Sequence, residues 1–184
     1  MPQSRRCRSA CVLFILAALT IVPTVNGKSY QGFQLLNQDE CAPLDKKTVL
    51  QLPEAWHKYA DFVKICRLTQ KKDQTAKVSV ISIWADDYLN AQPANAKWEQ
   101  FPLPLVVDHD LRQIGQLPEL YPTHQAHELK IYYGKWRAGI PAEIKLHVYN
   151  PAAYGDFDYP PLIRNRTTGL YETKGKEVRH GVGH

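Results

Sequence analysis

The sequence predicts an α+β domain that is mainly β: a small antiparallel sheet of five to six strands with one or two short helices on one face. A small open β-barrel is the alternative. Three observations lead there. Two pairs of segments, 62–69 with 77–85 and 127–133 with 142–149, carry the apolar patterns of adjacent strands. The 13 prolines are spread along the chain, which keeps elements short and loops many. Residues 28–174 contain no repeat or low-complexity block and are of a size to close one hydrophobic core.

Residues 1–27 precede that domain. Arg5, Arg6 and Arg8 lead into an apolar run, 12–22, broken only by Thr20. Pro23 ends it, and Val25 and Gly27 place small residues just before Lys28. Positive, then apolar, then small is the order of a secretory signal peptide. The run is about 11 residues, short of the ~20 that a spanning helix needs. The expectation is a cleaved leader, no stable membrane insertion of the mature chain, and a periplasmic or secreted location.

Within the domain, 30–36 is a candidate first strand. Residues 53–60 read as a short helix: Pro53 suits a first turn, Glu54 lies by the positive end, and Trp56, Tyr59 and Ala60 share a face. Segment 62–69 alternates as a strand, and 71–74 is a polar turn. Segment 77–85 is the strongest strand, with Val78, Val80 and Trp84 on one face and Ile81, Ile83 and Ala85 on the other, as in a central strand. Residues 86–100 read as loop. Segment 101–107 is extended, but Pro102 and Pro104 each remove a ladder donor, which confines it to a sheet edge. Asp108 is expected to cap a short helix running to Ile114 and stopped by Gly115 and Pro118.

The second hairpin pairs Leu129, Ile131 and Tyr133 with Ile144, Leu146 and Val148 on one apolar face. Its other face is polar and aromatic: Lys130 and Tyr132, with Glu143, Lys145, His147 and Tyr149. From Asn150 the chain reads mostly as loop, and 175–184 as a disordered tail.

The net charge of +5 is weighted by the leader, which holds three arginines and no acid. The remaining chain is nearly balanced, which argues against nucleic acid as a partner. Residues 86–128 are locally acidic, with only Lys97 and Arg112 as cations. Cys7 and Cys11 leave with the leader, and Cys41 and Cys66 form an even pair, so a disulfide is expected in an oxidising compartment. Asn165-Arg166-Thr167 is a glycosylation acceptor triplet.

The common catalytic signatures are missing from the sequence: there is no Gly-x-Ser-x-Gly elbow, no His-Glu-x-x-His and no phosphate loop. No catalytic residue, cofactor or metal is assigned. His124 and His127, with Asp108 and Asp110 upstream, could hold zinc and activate water. Their spacing lacks the helix geometry of zinc hydrolases, and surface histidines beside a capping aspartate are the plainer reading.

The most unusual segment holds Tyr154, Asp156, Phe157, Asp158 and Tyr159, aromatics interleaved with carboxylates. It suits a recognition loop, although such aromatics also cover sheet ends. Trp136 and Arg137 are a second pair of binding candidates, although a Trp that covers a core edge is the commoner outcome. The resulting expectation is a secreted or periplasmic, non-catalytic binding protein. It would contact a protein partner in the cell envelope, as an inhibitor or immunity-type protein that neutralises an envelope-acting enzyme. The rivals are a small envelope hydrolase using Asp108, Asp110, His124 and His127, and an accessory subunit of an envelope assembly.

Overall fold

The structure is a computed structural model and describes residues 30–37, 40–70, 75–83, 85–93, 101–118, 128–150 and 155–174. The expected leader and tail lie outside these, as do Tyr154, His124 and His127. At Asp156 and Phe157 only the backbone is described.

The described strands form two antiparallel sheets that do not close into a barrel. The first runs β1 (Phe33–Leu35), β7 (Glu128–Gly134), β8 (Glu143–Asn150), β10 (Leu162–Arg164) and β11 (Tyr171–Thr173), with β9 (Gly155–Asp158) paired to the far half of β8. The second runs β2 (Ala42–Pro43), β3 (Val63–Arg67), β4 (Val78–Ile83), β5 (Leu105–Asp108) and β6 (Gln113–Gln116). Three short helical pieces accompany them: α1 (Lys46–Val49), a 3₁₀ helix (Glu54–Tyr59) and α2 (Ala85–Asn90).

The mainly β class with short helices on one face is therefore as expected, and each sheet has the expected size. The second sheet is the difference. Alternation on a strand says that one face is buried, not what buries it. Here the two sheets bury each other: Cys66, Val78, Val80 and Val106 meet Ile131, Tyr133, Ile144, Leu146, Val148, Leu162 and Tyr171 in one cluster. The second sheet's other face is covered by helices, with Ile81, Ile83, Leu105 and Val107 against Val49, Leu52, Trp56 and Tyr59. Asp45 caps α1, its carboxylate accepting the Thr48 N–H at 3.0 Å. Trp56 and Tyr59 form the buried face of the 3₁₀ helix, as predicted for that segment. Cys41 and Cys66 are disulfide-bonded with Cα atoms 4.3 Å apart, extending the register that sets Ala42 opposite Ile65.

Four local expectations are corrected. Strand β5 is not an edge, since it pairs with β4 and with β6; Pro102 and Pro104 precede it and remove no ladder donor. Residues 108–114 form no helix. Asp108 does accept two backbone N–H groups through Oδ1, from Asp110 at 2.9 Å and Arg112 at 3.0 Å, but this closes a turn into β6. Part of the expected 86–100 loop is α2. Within the described residues 155–174 half of the chain is strand, not mostly loop: β9 and β10 run along one edge of β8, one residue out of step, with Asp158 opposite His147 and Leu162 opposite Ile144. Pro160 and Pro161 lie at the slip, where they have no N–H to give and the ladder breaks.

Candidate functional site

Strands β7 and β8 each turn one face to the core and the other outward. On the outer face Tyr132 sits opposite Lys145, Lys130 opposite His147, and Gly134 opposite Glu143. The chain before β1 folds over this face. Gly32 has φ 80°, and the Phe33 N–H donates to the Tyr30 carbonyl at 3.0 Å, so residues 30–33 reverse direction. Gly134 permits the approach: a Cβ there would lie 2.4 Å from the Gly32 carbonyl oxygen and 2.9 Å from Phe33 Cα.

The strap brings Tyr30 and Phe33 onto the outer side chains. The Tyr30 and Tyr132 rings are 4.3 Å apart. Lys145 Nζ lies 4.9 Å from the Tyr30 ring and 4.6 Å from the Phe33 ring, within cation–π range. The Tyr30 hydroxyl donates to Asp158 Oδ1 at 2.6 Å, and His147 Nδ1 lies 2.8 Å from the same oxygen. A carboxylate only accepts, so Nδ1 carries the proton in that contact. Beside this chain of bonds Glu143 is buried between two ammonium groups, Lys135 Nζ at 2.6 Å and Lys145 Nζ at 3.6 Å. A buried carboxylate needs such partners.

Chemically, an imidazole held through Nδ1 by a carboxylate has its ring orientation fixed. Here that pair also anchors the strap, because Asp158 serves His147 and Tyr30 at once. The arrangement gathers three rings, two lysines and two engaged carboxylates on one face.

The residues named from sequence are dispersed. Residues 155–158 are not a free loop but strand β9, in which Asp156 pairs with Tyr149 and Phe157 with Val148. Asp158 belongs to the strapped face. Tyr159 is half-buried and packs against the intersheet core. Trp136 does the same, its ring edge-on to Tyr133 at 5.8 Å. Arg137 is exposed beside it, in a turn whose central Ala138 and Gly139 have φ 50° and 75°, the left-handed pair of a tight hairpin.

Asp108, His109 and Asp110 bring ligand atoms within 4.8 Å of one another. However, Arg112 Nε is 2.8 Å from Asp108 Oδ2 and its terminal nitrogen 2.9 Å from Asp110 Oδ2, so a guanidinium occupies both carboxylates. Partial burial pushes the Asp108 carboxyl up. The N–H groups of Arg112 and Asp110 and the Arg112 guanidinium outweigh that and hold it below its ordinary value.

The polar and aromatic face of β7 and β8 was visible in the sequence; the partners that complete it, Tyr30, Phe33 and Asp158, were not assembled there. Fold and site together define an antiparallel β-sandwich with a helical cover on one side and a strapped aromatic–cationic face on the other. Comparison with protein families, with curated proteins and with solved structures finds no match. Among the described residues no helix is long and apolar enough to cross a membrane.

Proposed function

We propose that this chain is an exported, non-catalytic binding protein of the periplasm or the extracellular medium. It would act as an inhibitor or immunity-type protein that neutralises an envelope-acting enzyme. The observation that carries this reading is the strapped outer face of the first sheet. Tyr30, Phe33 and Tyr132 offer large rings with few rotors to freeze, and Lys145 and Asp158 are already held in place. A surface ordered before contact loses little entropy on association. Export is supported by the leader-like first 27 residues and by the Cys41–Cys66 disulfide, which an oxidising compartment maintains. The hydrolase reading has weaker support, because Arg112 already engages Asp108 and Asp110. An accessory role in an envelope assembly would use the same strapped face.

The test is capture from envelope extract on the immobilised mature chain, run beside a Tyr132→Ala, Lys145→Ala variant of matched melting temperature. The proposal expects an envelope enzyme that wild type retains, that the variant loses, and whose activity falls when free chain is added. Identical retention by both chains, or a retained enzyme whose activity does not change, removes it.

A further inference from the structure

We infer that one end of the sandwich, where the β7–β8 and β10–β11 turns meet, docks on an anionic membrane surface. Hydrogen bonds place the two turns side by side. The Arg164 N–H donates to the Ala142 carbonyl at 2.9 Å, and the Tyr171 hydroxyl donates to the Pro141 carbonyl. The second sheet ends at the same place, since Lys77 Nζ, just before β4, donates to the Ala138 carbonyl at 2.9 Å. Arg67 closes β3 opposite Ser79, near that same end of β4.

The chemistry of this end is uneven. The β7–β8 turn carries Lys135, Trp136 and Arg137, and the β10–β11 turn carries Arg166 and Leu170; neither contains a carboxylate. Arg67, Lys77, Lys135, Arg137 and Arg166 are all exposed. The nearby acids are engaged elsewhere. Asp108 and Asp110 hold Arg112, and Glu143 holds Lys135 and Lys145. Glu40 and Glu172 accept from the neutral side-chain amides of Asn37 and Asn165 and keep their charge, which the exposed cations of this end outnumber. Arg67, Lys77, Arg137 and Arg166 are left without a carboxylate partner among the described residues.

Charge complementarity therefore calls for an anionic occupant. The occupant meets two hairpin turns, 135–142 and 165–170, set side by side. Leu170 stands 44% exposed at the base of the β10–β11 turn, where its carbonyl accepts the Asn165 N–H at 2.8 Å. An end with exposed cations beside an exposed apolar side chain fits a membrane interface: guanidinium groups would meet headgroup phosphates and the leucine the acyl boundary. This is surface attachment and needs no spanning helix.

The experiment is cosedimentation of the full mature chain with phosphatidylcholine vesicles, with and without phosphatidylglycerol, at low and high salt. The expected result is retention on the anionic vesicles only, weakened by salt. Each basic side chain near such a surface strengthens binding roughly fivefold, so Arg137→Glu with Arg166→Glu should reduce retention by more than about 25-fold. Leu170→Asp should reduce it at either salt concentration. Arg137→Gln with Arg166→Gln, checked by melting temperature, serves if charge reversal impairs folding. Equal retention on neutral vesicles, no retention on either, or unaltered retention by the folded variants would overturn the inference. So would binding to soluble polyphosphate without binding to vesicles, which would point to a soluble polyanion.

Discussion

Every residue of β4 is buried, whereas β8 alternates. In β4, Val78 and Val80 meet the other sheet while Ile81 and Ile83 meet the helical cover. In β8, Ile144, Leu146 and Val148 face the same intersheet core, but Lys145 and His147 lie on the strapped face. Both are interior strands of antiparallel sheets. The difference is what lies on the second face. Where helices cover it, apolar side chains suffice and no specific polar pairing is required. Where water and a four-residue strap share it, the strand carries charged groups, and Glu143, Lys145 and His147 each have a named partner.

The largest expected effect separates those two faces. Ile81→Ala opens a cavity in a layer with no water to relax into, and should lower unfolding free energy by about 2–5 kcal/mol. Lys145→Ala removes two ring contacts, to Tyr30 and Phe33, and the longer of two ion pairs, and should change stability by less than about 1 kcal/mol. Denaturant unfolding of both variants checks the contrast. Equal losses would mean that the strapped face bears as much of the fold as the buried one.

The next effect concerns what holds the second sheet's edge. Cys41 and Cys66 are 25 residues apart in sequence and join the first residues of that sheet to β3. Replacing both with Ala should cost about 2–4 kcal/mol, mostly through the freed unfolded chain. Because the bond sits at the β2 edge, hydrogen exchange should quicken in β2 and in residues 36–41 before it quickens in β7 and β8. Uniform quickening across both sheets would show that the disulfide supports the whole sandwich.

The same contrast explains what could be read without a structure. Strands β4, β7 and β8 are six to eight residues long, long enough for alternation or double burial to register. The outward side chains Lys130, Tyr132, Glu143, Lys145 and His147 were legible for the same reason. Strands β9, β10 and β11 have three or four residues and flank Pro160-Pro161 and the turn at Asn165, so turn chemistry outweighed any period. The prolines before β5 misled in the opposite sense, because they were assigned to the strand they precede. The site was only half legible. Tyr30 and Asp158 are 128 residues apart, and no local pattern encodes their meeting. The carboxylate at Asp158 was singled out, but as a free group on a loop instead of the anchor of a strap.

A smaller effect tests that anchor. Tyr30→Phe keeps the ring against Tyr132 and removes only the hydroxyl that donates to Asp158. Asp158 keeps His147, so the loss should be about 0.5–1.5 kcal/mol, the net worth of one such hydrogen bond. Tyr30→Ala should lose more, since the ring contact goes too. If the two variants melt together, the ring contributes nothing and the strap is held by its hydroxyl alone.

The smallest effect lies at the β5–β6 turn and depends on pH. Asp108 is held below its ordinary pKa of 3.8 even though burial opposes this, because two backbone N–H groups and the Arg112 guanidinium stabilise its charged form. A carboxyl lowered in the folded state contributes stability that is complete above its unfolded value and is lost as pH falls through the folded one. Arg112 is 70% exposed, so solvent screening keeps the contribution small. Asp108→Asn retains an oxygen for the Asp110 and Arg112 backbone N–H groups but puts an amide donor where Oδ2 accepts from Arg112 Nε, so the charge and that hydrogen bond go together. The gap between wild type and variant should therefore be constant from neutral pH to roughly pH 5 and close as pH drops below about 4. Denaturant titrations at a series of pH values measure it directly. A gap that persists undiminished at low pH would assign the loss to altered turn geometry, and Arg112 would then be a bystander to the turn and not its lock.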